Sequence, residues 1–351
     1  AEANDISITS LGNIAVGTID AGGTMGDVVL SSAAGSITDA TSSITAQDFS
    51  FTSGGIVGTG LARINTTVSN YLSSSAVGDV YLRDSNGVSI NDISTLGDLS
   101  ISTSPGSISD GNGAGTLNLS AGALNLLAQL DIDADTDVAS IDAVSSVAGT
   151  ITLREADGVT LTSLTANNGD ITVSNAVGNI LVGSVTADAV NDTVQITSAG
   201  SITDLSSDTT ADVTAFTVNL TAAAGGIGNA ALNGAFDINA AGQVDADTSG
   251  DGSAIYLYAT ANLPAGLIDA GTGDIHLSVP AGAVTDANGA ANNVTAALFT
   301  VDAANGIDLD TDIASLDAAN TTNGAIDINE ADALNVVAID QGAAAIVDLV
   351  A

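Results

Sequence analysis

Three short motifs recur in fixed order along this 351-residue chain, and that recurrence limits the fold more than any single residue does. The first is a glycine corner. Gly35-Ser36-Ile37-Thr38-Asp39 returns as Gly106-Ser107-Ile108-Ser109-Asp110, Gly200-Ser201-Ile202-Thr203-Asp204 and Gly282-Ala283-Val284-Thr285-Asp286, with the widest gap between Gly106 and Gly200. The second motif follows each corner in turn: Val80-Tyr81-Leu82-Arg83-Asp84, Ile151-Thr152-Leu153-Arg154-Glu155, Ile255-Tyr256-Leu257-Tyr258 and Ile326-Asp327-Ile328-Asn329-Glu330. The third is Gly97-Asp98-Leu99, Gly169-Asp170-Ile171 and Gly273-Asp274-Ile275. The widest gap holds one additional unit, which opens at Gly178-Asn179-Ile180-Leu181-Val182 and runs to the corner at Gly200. The same unit stands at Gly12-Asn13-Ile14-Ala15-Val16 and runs to the first corner at Gly35. The elementary period is therefore about 22–23 residues, and the chain holds roughly fifteen such units. The step from Gly35 to Gly106 is about three of them.

Inside a unit, apolar and polar residues alternate. Ile151 and Leu153 alternate with Thr152 and Arg154, and Val159 and Leu161 with Thr160 and Thr162. A period of two over four to six residues is the signature of half-buried strands. Asp157-Gly158, Asn168-Gly169-Asp170 and Asn86-Gly87 punctuate them as turns. Stacked hairpins in a sandwich would give the same alternation. A unit that can be inserted whole favours a solenoid, in which each coil contacts only its neighbours. The expected fold is all-β: a parallel β-helix solenoid with three short strands in each coil. Coils about 4.8 Å apart make a rod on the order of 70 Å long. Residues 1–351 then form a single continuous solenoid, with internal repeats at 12–34 (partial), 35–105, 106–199 (with its extra coil at 178–199), 200–281 and 282–351.

Composition agrees and excludes several roles. There are 41 Asp+Glu against 3 Lys+Arg, a net charge of −38, yet 45% of residues are hydrophobic, which argues against disorder. Aromatics are 3% and Trp is absent, so the core must be filled by Val, Ile, Leu and Ala, which suits thin regular layers. Arg63, Arg83 and Arg154 are the whole cationic complement and cannot neutralise a nucleic-acid backbone. An anionic membrane surface would repel the chain, and no run of residues is apolar enough to span a bilayer. Without cysteine there are no disulfides or thiolate sites. The opening Ala1-Glu2-Ala3-Asn4-Asp5 has neither Met nor signal-peptide character, and Ala1 and Ala351 both fall within repeat pattern with no polar cap. These ends read as a processed chain, an internal section, or subunits that stack end to end.

The Gly-Ser-Ile-Thr-Asp corners and the segments Ile151 to Ala166 and Ile326 to Asp340 resemble the parallel β-helix of filamentous-haemagglutinin-like bacterial surface proteins, the giant repetitive adhesins and extracellular fibre proteins. The resemblance covers nearly the whole chain. It implies an exported, right-handed β-solenoid at the bacterial cell surface or outside the cell, used as a stalk, fibre or adhesin. Its implied partners are copies of itself, in end-to-end or lateral filaments, or a host or cell-surface glycan. Nucleic acid and membrane insertion are not expected.

Two kinds of chemistry remain. In Leu130 to Asp137, Ile132 and Ala134 face one way, and Asp131, Asp133, Asp135 and Asp137 the other; Asp308, Asp310 and Asp312 repeat the pattern, and Asp245 and Asp247 echo it loosely. Carboxylates at strand and coil spacing repel one another, and Ca²⁺, which takes six to eight oxygens, would relieve this. The seven aspartates 131, 133, 135, 137, 308, 310 and 312 are therefore candidate Ca²⁺ ligands. The competing reading is a solvated anionic face with diffuse counterions, because neither a calcium nonapeptide repeat nor an EF-hand loop is present. No cofactor is required.

Catalysis is the other. Pectate lyases and polygalacturonases use β-helices, but uronate lyases need cations around an anionic substrate, and a hydrolase needs a singular carboxylate pair. Here the acids recur with the repeat. Tyr81, Tyr256 and Tyr258 are the available sugar platforms, and His276 is the sole histidine, expected to face solvent from a strand. The expected role is a non-catalytic structural or adhesive module, with a carbohydrate-binding or carbohydrate-active β-helix and a calcium-stabilised adhesin module as alternatives. Arg83-Asp84 and Arg154-Glu155 read as salt bridges across coils or subunits, or as weak surface pairs. The phenylalanines read as core. Asn65, Asn118, Asn191, Asn219, Asn293 and Asn320 open glycosylation sequons.

Overall fold

The computed structural model describes residues 4–22, 25–188, 190–231, 233–342 and 345–351; Ala1, Glu2 and Ala3 of the opening segment lie outside them. The described residues are all-β, with no helix and hence none long and apolar enough to cross a membrane. Every strand pairing between coils is parallel, and the strands form stacked coils of a β-solenoid, about 16 turns. Two compact units divide the chain, Ala1–Gly169 and Asp170–Ala351. The division falls inside the repeat expected at 106–199.

In the first unit one coil shows the plan. Val80–Asp84, Val88–Ile90 and Ile93–Thr95 form its three sides, and the next coil begins at Leu99–Thr103, which pairs with Val80–Asp84 in register from Leu99↔Val80 to Thr103↔Asp84. Alternation sets what faces in. Val80, Leu82, Leu99 and Ile101 are fully buried, while Tyr81 and Arg83 between them reach the surface. Like residues therefore stack on like, as in Ile132↔Ile151, Ile307↔Ile326 and Ile180↔Ile202. The column is mostly aliphatic because a narrow interior leaves little room for rings. Phe49, Phe51, Phe236 and Phe299 are nonetheless buried, whereas Phe216 is 37% exposed, contrary to the reading of every phenylalanine as core.

The glycine corners have a steric cause. A Cβ on Gly35 would lie 2.5 Å from the Asn13 backbone nitrogen of the preceding coil. At Gly106 it would lie 2.5 Å from the Asn86 carbonyl oxygen, and φ is +117°, a region side chains avoid. Just before several turns a buried polar side chain closes the corner. The Ser32 hydroxyl donates to the Gly12 carbonyl (2.7 Å), Ser198 to Gly178 (3.3 Å), and the Asn320 amide to Gly324 (2.7 Å).

Coil length varies about its mean. Register partners are close in sequence at Phe299↔Leu316, further apart at Ile6↔Val28 and further still at Val218↔Val244. The differences are taken up at corners and bulges, such as the shift between Ala215 and Thr217, and the ladder continues on both sides.

Candidate functional site

The second motif supplies a buried carboxylate at one corner. Its last residue, Asp84, Glu155 or Glu330, turns inward and accepts hydrogen bonds from the preceding coil. The Thr66 hydroxyl and Val68 N–H donate to Asp84 (2.8 and 3.1 Å). Thr136 and Val138 serve Glu155 (2.6 and 3.1 Å), and Thr311 and Ile313 serve Glu330 (2.7 and 3.1 Å). These acids are therefore not partners of the arginines beside them. Asp137 and Asp157 approach Glu155, and Asp312 and Asp332 approach Glu330, closely enough to suggest ligand sets, but the central glutamate of each already serves the corner.

Burial raises the pKa of Asp84 and Glu155, against the lowering effect of their hydrogen bonds. A raised carboxyl stabilises the fold fully below its unfolded value, roughly pH 4, and that contribution is lost as pH rises through the folded value. Asp110 and Asp286 are the opposite case. Burial there is outweighed by bonds from Asn118 and Asn293, so their contribution is lost as pH falls below about 4. Melting temperature should therefore rise as pH is lowered from 8 to 5, helped by partial relief of the −38 charge, and fall again below about 4. A pH series of thermal melts checks this; a flat or rising profile from 5 to 8 contradicts it.

Arg154 reaches across coils. Its Nε bonds Asp135 (3.0 Å), its Nη2 contacts Asp133, and Asp110 lies 3.6 Å from Nη2. This is the cross-coil salt bridge foreseen for the Arg154 position, with different acids. Arg83, at the corresponding position, is exposed. Arg63 instead donates to the Leu82 carbonyl (3.2 Å) and the Ser100 hydroxyl (3.0 Å) and lies 5.8 Å from the Tyr81 ring centroid.

The candidate calcium ligands do not form one site. Ile132 and Ala134 point inward, Asp133 and Asp137 reach the surface and Asp135 is buried, and Asp133 and Asp135 hold Arg154. Asp131 accepts the Thr150 N–H (2.9 Å), and Asp137 lies beside Glu155 and Asp157. In the second unit Asn329 occupies the place of Arg154, opposite Asp310, and Asp308 stands opposite Asp327. The Asp308 pKa is raised by burial and then by Asp327, Asp286 and Asp310. Asp312 lies beside Glu330 and Asp332. Asp245 accepts from Gln243 and from the Leu267 N–H (2.7 Å). Supplying the missing cation by Asn329→Arg should stabilise the second unit by on the order of 1 kcal/mol, because most of these groups are exposed. An unchanged or lower melting temperature would count against this account.

Sequence reasoning missed a further group. Asp204, Asp212 and Asp237 each place a carboxylate oxygen within 4.8 Å of the others. Asp212 and Asp237 are 0% and 2% exposed. The Asp237 N–H donates to Asp212 Oδ2 (2.9 Å), while Asp212 Oδ1 and Asp237 Oδ2 are buried without a hydrogen-bond partner. Burial, reinforced by Asp204 and Asp237, pushes Asp212 up to about 9; burial, then Asp204 and Asp208, pushes Asp237 up to about 7. Beside this group, Asp237, Asp208, Tyr256, Tyr258 and His276 line a groove of about 550 Å³. Tyr256 and His276 are register partners with ring centroids 6.1 Å apart, and His276 is partly solvent-exposed, 4.0 Å from Asp302.

Of the sequon asparagines, Asn118, Asn293 and Asn320 are 0% exposed and hydrogen-bonded inside corners, so the folded chain cannot present them to a glycosyl donor. No protein-family model matches this chain, and neither a curated protein nor a solved structure does.

Proposed function

We propose that this chain is a non-catalytic structural or adhesive β-solenoid module of the filamentous-haemagglutinin-like kind, working outside the cell or at a bacterial surface. The observation that carries the reading is where the polar chemistry goes. Asp84, Glu155 and Glu330 recur at one kind of corner and Asn118 and Asn293 at another, and these side chains, with Arg154, are spent on holding one coil to the next. A long parallel ladder with an aliphatic interior resists pulling and proteolysis, and a strongly anionic exterior keeps it soluble.

A second reading, glycan binding, is favoured by the groove at Tyr256, Tyr258 and His276, where apolar ring surface lies next to the acceptors Asp237 and Asp208. Negative-stain microscopy of the concentrated chain, together with a panel of immobilised and soluble polysaccharides, tests both. Fibres, or glycan retention lost in Tyr256→Ala, without turnover, are the expected results. Polysaccharide cleavage that disappears in Asp237→Asn would overturn the non-catalytic assignment.

A further inference from the structure

Three corners of the chain are built to one plan. At the first, the Asn118 N–H donates to the Asp135 carbonyl (2.9 Å) and the Asp135 N–H returns a bond to Asn118 Oδ1 (2.8 Å). At the third, Asn293 and Asp310 make the same exchange (2.7 and 2.9 Å). At the second the partners are Asp212 and Asp237 (2.9 Å for both bonds). Each corner is faced by the aspartate that ends a Gly-Ser-Ile-Thr-Asp motif or its variant: Asp110, Asp286 and Asp204 respectively.

At the position of Asn118 and Asn293 the second corner differs in one side-chain group. Asn118 Nδ2 donates to Asp110 (3.1 Å) and to the Ile90 carbonyl (2.9 Å); Asn293 Nδ2 donates to Asp286 (3.0 Å) and to the Ala265 carbonyl (2.9 Å). In both, an N–H₂ group sits among oxygens and satisfies them. Asp212 has an oxygen where its counterparts have that donor, so its side chain brings only acceptors to the second corner. Asp212 Oδ1 and Asp237 Oδ2 are left buried and unpartnered, which costs free energy unless something electropositive lies between them.

We propose that Asp204, Asp212 and Asp237 bind a divalent cation, Ca²⁺ in preference to Mg²⁺. The donors are all hard carboxylate oxygens, as both ions require. Three protein carboxylates gathered at one point suit Ca²⁺, which accepts flexible all-oxygen coordination, better than Mg²⁺, which usually keeps several waters and takes one or two carboxylates. Asp204 is only partly buried, which gives the ion a path from solvent and room for water ligands. Its carboxylate is already oriented by the Ser206 N–H (2.6 Å) and the Asp208 N–H (3.2 Å). The ion would do for this corner what the asparagine amide does for the other two. The inference stands independently of the adhesive role.

The rival occupant is a proton on Asp212, which would also turn Oδ1 into a donor, and the experiment separates the two. The full chain, stripped with EGTA at pH 7.5, is titrated with CaCl₂ by calorimetry and melted with and without the ion. The comparison is with Asp212→Asn, which installs the side chain already present at the other two corners. Wild type should gain several degrees on calcium addition. Asp212→Asn should lose that increment and, without calcium, should melt above calcium-free wild type. Asp204→Asn, at the more open ligand, should weaken calcium affinity at least tenfold. MgCl₂ should bind more weakly than CaCl₂. An equal calcium response in wild type and Asp212→Asn, or no calcium response in wild type, overturns the site; the latter leaves the proton as occupant.

Discussion

Phe49→Ala should cost about 3–5 kcal/mol, the range for emptying a buried aromatic position. Phe49 is fully buried, with Val28 as its register partner in the preceding coil and Tyr71 in the next. Its ring centroid lies 5.8 Å from that of Phe51 and 6.0 Å from that of Tyr71. The residues around the gap are held in place by the backbone ladder, so little of the cavity is recovered. Tyr71 would also lose the contact that holds its hydroxyl 2.6 Å from the Thr66 hydroxyl, itself a donor to Asp84. The damage should stay near the site, because neighbouring coils carry the coupling in a solenoid. Hydrogen exchange should quicken over residues 28–95, with residues 280–330 unchanged. Uniform acceleration throughout would show that the coils open together, and a loss below about 1 kcal/mol that the column repacks.

Arg154→Ala should cost about 2–3 kcal/mol, more than a surface ion pair would, because Asp110 and Asp135 are left nearly enclosed with no cation. Their side chains are 5% and 9% exposed, against 46% for Asp133. Asp135 Oδ2 already lacks a partner. Arg154→Lys should recover only part of the loss, since one ammonium cannot reach three carboxylates from the fork that the guanidinium presents. Chemical denaturation of the three proteins provides the measurement. A cost equal to that of a typical exposed pair, below about 1 kcal/mol, would show that solvent reaches these acids freely.

Much of the fold was legible because inward and outward positions alternate along most strands. Ile151, Leu153, Val159 and Leu161 announce strands, and the recurrent glycines mark where one backbone crosses another. The candidate site was less legible. Asp131 to Asp137 and Asp308 to Asp312 stand out because acids are dense there, yet density concealed that Arg154 had claimed two of them. The Asp204, Asp212 and Asp237 group contains no run of acids. Its relation to the other corners was obscured by coil length: the loop from Asp212 to Asp237 is much longer than the one from Asn118 to Asp135 or from Asn293 to Asp310. A fixed period cannot align positions that the backbone brings into register through loops of unequal size. The earlier clue was a local one, the matching step from Asp110 to Asn118 and from Asp204 to Asp212.

That inequality of coil length has a practical side. The short coil from Phe299 to Leu316 and the long one from Val218 to Val244 present the same inward column, so residues added beyond a strand end leave side-chain parity on the next face undisturbed. Tolerance to insertion should accordingly follow location and not size. A peptide tag or reporter loop placed beyond a strand end in a long coil would be carried outward on an intact ladder, whereas a single residue inserted within Ile151–Glu155 would turn every following side chain of that strand inside out.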